Sequence, residues 1–217
     1  MKYRAVIFDL WQTLVPWNVD EANRFFDQMA DAVDVERERF REVWSAGHVS
    51  RANGPIADHL RTILAELGAD GDVDRLIELR RDWAKRTLVP RPDALPTLAE
   101  LRRRGHRLGL ISVCSEDVPN VWGETLLAGT LDETIFSCDV GISKPDQRIY
   151  EIACERLGVE PAACLFVGDG ANDELPGAER VGMTALQLRA PGEQLTEPGN
   201  AWQGASIQNL SELLEMT

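Results

Sequence analysis

Polar residues that could act together in one reaction stand directly after strand-like segments of the sequence. Carboxylates attack electrophiles or bind cations, a hydroxyl donates a hydrogen bond, and an ammonium group binds anions. Taken alone, each residue is also explained as a helix cap, a turn residue or a solvated side chain. In chain order the residues are Asp9, Ser112, Lys144, Asp169 and Asp173.

Alternating strand and helix patterns predict the elements that would position these residues. Residues 3–8 form a nearly continuous apolar run, interrupted by Arg4, which is typical of a buried parallel strand. The alternation of strands and helices predicts right-handed crossovers between parallel strands. The expected fold is therefore α/β, with a Rossmann-like doubly wound parallel sheet. The later strand patterns cover residues 107–111, 134–137, 164–167 and 184–188, and the helix patterns cover 93–104, 146–157 and 172–181.

Residues 16–88 have a different pattern, with apolar residues at helical spacing and almost no strand signal. Breaks at Asn53-Gly54-Pro55 and around Gly68 divide this stretch into about four helices. We therefore expect an α/β core formed by residues 1–15 and 89–217, and an inserted all-α cap formed by residues 16–88. Because the insert leaves and rejoins the core beside the end of the first strand, it would cover a site there.

The polar residues listed above would converge on one point, since open α/β sheets bind ligands at the carboxyl ends of their strands. At these positions the chain resembles the haloacid dehalogenase superfamily of hydrolases, and the resemblance covers essentially the whole chain. The helical insert resembles that family's α-helical cap. The four motifs that carry the resemblance are Asp9-x-x-x-Thr13, Ser112, Lys144-Pro145 and Gly168-Asp169-x-x-x-Asp173.

The resemblance implies a hydrolase whose covalent nucleophile is Asp9. Its expected substrate is a small phosphorylated metabolite, hydrolysed through an aspartyl-phosphate intermediate. The crowded carboxylates imply a Mg²⁺ ion that offsets their charge. The implied metal ligands are Asp9, the backbone carbonyl of Trp11, Asp169 and Asp173, the last either as a ligand or as an anchor for metal-bound water.

Three further residues have implied roles around the transferring group. Lys144 would keep Asp9 ionised and bind the anionic substrate as a point charge. The hydroxyl groups of Thr13 and Ser112 would donate hydrogen bonds to the phosphoryl oxygens.

Position 11 departs from the pattern of the family's phosphatases, which usually carry an aspartate there that protonates the leaving group and later activates water. This chain has Trp11, followed by Gln12 where glycine is common. An indole N–H does not give up its proton, so Trp11 cannot act as a general acid or base. Losing such catalysis costs about 10²–10⁴-fold in rate, or about 3–5 kcal/mol of barrier.

Several interpretations of Trp11 remain open from the sequence. A phosphatase could act on an activated ester or acyl phosphate, whose leaving group needs little protonation, or a cap residue or a water could take over the role of the acid. A dehalogenase has an aromatic residue at this position and expels halide without an acid, but it works without metal and lacks the paired acids of the fourth motif. Phosphonate cleavage uses a cap lysine, and the insert holds one, Lys85. A non-catalytic protein that binds a metabolite or a partner is the fourth interpretation.

Composition excludes several classes of function. A net charge of −13 predicts a surface that repels nucleic acid and anionic membranes, so the expected partner is a small anionic metabolite. No apolar run approaches the ~18 residues of a membrane span, and the first residues lack a signal-peptide pattern, so we expect a cytoplasmic protein. The cysteines and histidines lack zinc-site spacing. The sequence does not predict the oligomeric state.

Overall fold

A parallel six-stranded sheet forms the centre of the protein, as seen in a computed structural model that describes residues 2–47, 52, 54–193 and 202–217. The strand order is β3-β2-β1-β4-β5-β6, which places β1 in the middle and makes the sheet doubly wound. The strands are β1 (Ala5–Phe8), β2 (Arg107–Ser112), β3 (Glu133–Phe136), β4 (Cys164–Gly168), β5 (Thr184–Leu188) and β6 (Ser206–Ile207).

Helices cover both faces of the sheet. Between β1 and β2 lie α1 (Val19–Ala32), α2 (Arg37–Ala46), α3 (Ile56–Leu67), α4 (Val73–Thr87) and α5 (Ala94–Arg103). The helices that follow β2 are α6 (Asp117–Trp122), α7 (Ser137–Val140), α8 (Gln147–Leu157), α9 (Glu174–Arg180) and α10 (Leu213–Met216).

Strand β1 explains how the sheet is buried on both sides. Side chains of a strand alternate between its two faces, so Val6 and Phe8 pack in one apolar layer while Ala5 and Ile7 pack in the other. All four residues are fully buried. The continuous apolar run of the sequence is therefore the signature of a central strand, and the residue that follows it, Asp9, stands at the middle of the sheet's carboxyl edge.

Within the described part of the predicted insert, residues 16–88, lie α1 to α4, whose ends carry capping signals. The side chains of Asn18, Glu36 and Asp72 accept hydrogen bonds from backbone N–H groups in the first turns of α1, α2 and α4. Helix α3 ends at Gly68 in the left-handed conformation. Helix α4 packs against α1 and α3 of the insert and against α6, so it joins the insert to the sheet layer.

The predicted α/β class and the doubly wound parallel sheet are confirmed, and two local differences have physical causes. The segment predicted as one helix over 172–181 is a 3₁₀ turn, Ala171–Asp173, followed by α9, because Asn172 and Asp173 adopt left-handed backbone conformations. Strand β6 is only two residues long, too short for a periodic signal. No helix among the described residues is long and apolar enough to cross a membrane.

A buried ion pair links the insert to the sheet layer. Arg80 of α4 and Asp117 at the start of α6 approach to 2.6 Å between Nη2 and Oδ1, and both side chains are at most 6% exposed. The guanidinium group also lies over the ring of Trp44, 4.7 Å from its centroid. Arg81 and Lys85 make a second link to Glu124, but that link is exposed to solvent.

We predict that Asp117→Ala lowers the free energy of unfolding by about 3–5 kcal/mol, because it leaves the Arg80 charge buried without its partner. Glu124→Ala removes the exposed link between the same two layers and should cost at most about 1 kcal/mol. Urea unfolding of both variants tests the difference. Equal losses would contradict the importance of the buried pair.

Candidate active site

Asp9, Lys144 and Asp169, three of the residues singled out from the sequence, meet at the carboxyl edge of the sheet. Asp9 follows β1, and its backbone N–H donates to the carbonyl of Val167 in β4 over 2.8 Å. Asp169 follows β4, and Lys144 lies in the loop before α8. All three side chains line one cavity between the sheet edge and the insert.

Lys144 is held between two carboxylates. Its Nζ atom lies 2.5 Å from Oδ1 of Asp9 and 2.5 Å from Oε2 of Glu174, and all three side chains are buried. Carboxylate oxygens of Asp9, Asp169 and Glu174 lie within 4.8 Å of one another. These three carboxylates and the ammonium group form what we call the charge cluster.

Burial and mutual repulsion make the charge cluster unfavourable without a further cation. Burial raises the pKa of Asp9 to about 6, although Lys144 opposes the shift, and burial raises the pKa of Glu174 to about 7. Burial and the nearby Asp9 charge also raise the pKa of Asp169. Burial alone would lower the pKa of Lys144, but the carboxylates of Asp9 and Glu174 raise it, so this lysine stays charged.

Glu174, which sequence reasoning missed, takes the position in the charge cluster that was expected for Asp173. Asp173 belongs to the left-handed turn before α9, and its side chain is exposed and outside the cluster. Glu174 begins α9 and is 1% exposed. The two acids are adjacent in the sequence, so the pattern predicts an acid here, and only the left-handed turn decides which of the two points inward.

A glycine makes room for Glu174 at the end of β4. A Cβ atom on Gly168 would lie 2.0 Å from Oε1 of Glu174. The same Oε1 accepts a hydrogen bond from the backbone N–H of Gly170, which has a φ of 97°. Glu174 therefore orients Lys144 through one oxygen and the loop after β4 through the other.

Two buried hydroxyl groups lie at the same edge without partners. Thr13 Oγ1 and Ser112 Oγ have no hydrogen-bond partner of ordinary geometry among the described residues, and both residues are fully buried. A buried hydroxyl without a partner costs about 1–3 kcal/mol. Thr13 follows β1 and Ser112 ends β2, so both lie at this edge of the sheet, but neither residue lines the cavity.

Arg91, another residue missed from the sequence, fixes the loop that follows Asp9. Its Nε donates to the carbonyl of Thr13 over 2.5 Å, and its Nη2 donates to the carbonyl of Gln12 over 2.7 Å. Glu193 holds the other side of the guanidinium group with both carboxylate oxygens. These contacts of Arg91 support Gln12 in a left-handed conformation with a φ of 57°. Glycine suits this position because it adopts a positive φ without steric cost.

Trp11 points into an aromatic cluster rather than presenting a proton donor to the reaction. Its ring stacks on Trp83 of α4 with centroids 5.6 Å apart and meets Trp17 edge-on at the same distance. Trp83 in turn packs on Phe25, with centroids 5.0 Å apart. The loop that carries Asp9 is therefore joined to the insert by aromatic contacts.

The cavity over the charge cluster has a volume of about 310 Å³. The sheet edge supplies the charge cluster, Gln12, Val113 and the turn residues Ala171 and Asn172. The opposite wall is aromatic and comes mainly from the insert, with Trp11, Trp17, Phe26 and Trp44 lining it beside Ser45. Trp122 lies elsewhere, packed on Phe136.

The family model described as haloacid dehalogenase-like hydrolase matches residues 3–182. The chain belongs to this family. The predicted resemblance and the assignment of the chain as a hydrolase are thereby confirmed.

Relatives of this haloacid dehalogenase-like hydrolase include both phosphatases and dehalogenases. A glyceraldehyde 3-phosphate phosphatase of Methanopyrus kandleri is 32% identical over 91% of this chain and 88% of its own length. An (S)-2-haloacid dehalogenase of Pseudomonas sp. (strain YL) is 30% identical over 73% of this chain and 68% of its own. A family enzyme of Bacteroides thetaiotaomicron, solved with magnesium and inorganic phosphate, shares the fold with a TM-score of 0.67 and 16% identity, covering 89% of this chain and 98% of that one.

We predict that Gly168→Ala destabilises this haloacid dehalogenase-like hydrolase by about 1–3 kcal/mol, because the new methyl group displaces the buried Glu174 carboxylate. Gly123→Ala is the matched control. Gly123 has a helical φ of −62° and nothing within 4 Å of an added Cβ, so the change should stabilise the protein by about 0.4–1 kcal/mol. Thermal and urea unfolding measure both, and a neutral Gly168→Ala would refute the close packing.

Proposed function

We propose that the protein is a Mg²⁺-dependent phosphatase that hydrolyses a small phosphorylated metabolite through an aspartyl-phosphate on Asp9. The observation that carries this proposal is the charge cluster. When all three carboxylates are ionised, they and the one ammonium group carry two net negative charges in a buried site, and a divalent cation would balance them. The phosphatase relatives and the haloacid dehalogenase-like family model support the same reaction class.

The residues of the site fit a hard divalent cation. Mg²⁺ prefers oxygen ligands and is usually bound by one or two carboxylates together with water and substrate phosphate. Asp9, Asp169 and the backbone carbonyl of Trp11 are the proposed ligands, and Glu174 replaces Asp173 as the acid that would orient metal-bound water. When bound, the ion would offset the carboxylate charges and polarise a phosphoryl oxygen.

The side chains of this chain supply the remaining parts of the reaction. Asp9 attacks phosphorus, and Lys144 keeps it ionised while attracting the anionic substrate. The hydroxyl groups of Thr13 and Ser112 are assigned as donors to the phosphoryl oxygens. The helical insert acts as the cap: residues 16–88 would form one unit over the site, and residues 1–15 and 89–217 the catalytic core.

Haloacid dehalogenation is the second candidate, favoured by the aromatic residue at position 11 and by the dehalogenase among the relatives. The acid pair Asp169 and Glu174 disfavours it, because buried carboxylates beside the nucleophile would repel a 2-haloacid. Lys144 is the only cationic side chain among the described residues that line the cavity, and it already pairs with Asp9 and Glu174.

The direct test is phosphate release from a panel of small phosphomonoesters that includes glyceraldehyde 3-phosphate. We expect turnover with Mg²⁺, none with EDTA, and none in Asp9→Asn, which removes the nucleophile. Asp139→Asn, at an exposed position outside the site, should turn over at the unmodified rate. Undiminished turnover by Asp9→Asn, or halide release from 2-chloropropionate without metal, would overturn the proposal.

The adjacent acids Asp173 and Glu174 are expected to differ in their effect on Mg²⁺ affinity. Glu174→Gln keeps the shape of the side chain but removes its charge, and we expect it to weaken Mg²⁺ binding about 10–100-fold. Asp173→Asn should leave the affinity unchanged, because that side chain is exposed and outside the charge cluster. Isothermal titration with Mg²⁺ alone compares the pair, and a larger effect at Asp173 would reverse the assignment.

A further inference from the structure

The wall that faces the charge cluster is unusual for a site that would bind sugar or glycerol phosphates. Trp17 lies in the loop before α1, Phe26 in α1 and Trp44 in α2. Trp11, from the core, completes the wall. Neighbouring rings of the wall meet edge-on, with the centroids of Trp11 and Trp17 5.6 Å apart and those of Phe26 and Trp44 5.9 Å apart. Aromatic faces and edges arranged in this way bind a further aromatic ring well.

The size of the cavity suits one ring together with a phosphoryl group. Its volume is about 310 Å³, whereas an apolar cavity of about 150 Å³ is enough to bind benzene. Besides the indole N–H groups of the tryptophans, the neutral polar side chains that line it are those of Gln12, Ser45 and Asn172.

The charge of the lining limits what the leaving group can carry. Lys144 is the only cation among the described lining residues, and its two contacts are with carboxylates of the charge cluster. A second phosphate or a carboxylate on the leaving group would therefore meet aromatic carbon instead of a cation. An uncharged ring avoids the free-energy cost of moving a charged group from water to an apolar surface.

The chemistry at position 11 points to the same class of leaving group. Trp11 cannot give up a proton, and the acids among the described lining residues, Asp9, Asp169 and Glu174, all belong to the charge cluster and none belongs to the aromatic wall. An alkoxide is about as basic as hydroxide, the conjugate base of water with a pKa of about 15.7, so it departs slowly without a proton. A phenoxide, whose conjugate acid has a pKa of about 10 as in tyrosine, departs readily as the anion.

We propose that the substrates are aryl phosphate monoesters, with the uncharged ring seated against Trp11, Trp17, Phe26 and Trp44. This inference rests on the proposed phosphatase function. An oxygen of Asp9 bonds to phosphorus while the bond from phosphorus to the phenolic oxygen breaks. The electron pair leaves on that oxygen, which takes a proton from solvent. Water then hydrolyses the aspartyl phosphate, giving inorganic phosphate and the Asp9 carboxylate, and the released proton passes to solvent.

Three substrates test the leaving-group preference and the ring site separately. Phenyl and benzyl phosphate both carry a ring, but only phenyl phosphate has a weakly basic leaving group. Because no acid assists, we expect kcat/KM for phenyl phosphate to exceed that for benzyl phosphate by about 10²-fold or more. Benzyl and propyl phosphate share an alkoxide leaving group, and the ring should raise kcat/KM for benzyl phosphate roughly 2–10-fold.

A binding experiment tests the ring site without turnover. Trp17 and Trp122 are both half-buried, but only Trp17 lines the cavity. In Trp17→Leu we expect the Kd for phenylphosphonate to rise roughly 2–10-fold, while Trp122→Leu should keep the affinity of the unmodified protein. Isothermal titration in the presence of Mg²⁺ measures both.

Failure of this inference differs from failure of the proposed function. Equal kcat/KM for phenyl and benzyl phosphate, or equal phenylphosphonate affinity in Trp17→Leu and Trp122→Leu, would overturn the aryl assignment while leaving a phosphatase. Absence of phosphate release from all three esters and from acetyl phosphate, whose acyl leaving group needs no proton, would overturn the phosphatase proposal and the aryl assignment with it.

Discussion

The contact of Lys144 with two buried carboxylates is the interaction on which the site depends. A lysine in a dry environment would lose its charge unless acids surround it, and Asp9 and Glu174 lie 2.5 Å from its ammonium group. Once Asp169 is added, the acids outnumber the base, and burial, with a smaller contribution from the Glu174 charge, raises the pKa of Asp9 to about 6. A cluster of this kind stabilises the fold poorly by itself, but it is well suited to bind a divalent cation and a phosphoryl group.

The aromatic cluster gives the helical insert a direct connection to the chemistry. Trp11 follows the nucleophile by two residues, and its ring stacks on Trp83 of the insert. A residue type that removes the usual proton donor thus also joins the nucleophile loop to the wall that would select the leaving group. If Trp11 stands where related phosphatases carry their acid, the proposed absence of acid catalysis and the proposed preference for an aromatic leaving group follow from the same residue.

Much of the fold was predictable because it rests on short-range patterns. The apolar run ending at Asp9 marks a central strand, and Asp146 is a helix cap whose side chain accepts from the N–H of Arg148. Residues brought in from a distance were not predictable: Arg91 reaches Gln12 and Thr13 across 79 and 78 positions of the chain. Glu174 was missed for a local reason, since only the left-handed backbone of Asn172 and Asp173 determines which acid turns inward.

The central claim is that Asp9 carries the phosphoryl group during turnover, and trapping that intermediate tests it most directly. The protein is mixed with Mg²⁺ and phenyl phosphate labelled with ³²P, quenched in acid within milliseconds, digested and analysed by mass spectrometry. The account predicts label on the peptide that contains Asp9, accumulating because Trp11 cannot activate the attacking water, and no label in Asp9→Asn. Turnover with an unlabelled Asp9 peptide, or with label on another residue, would contradict it.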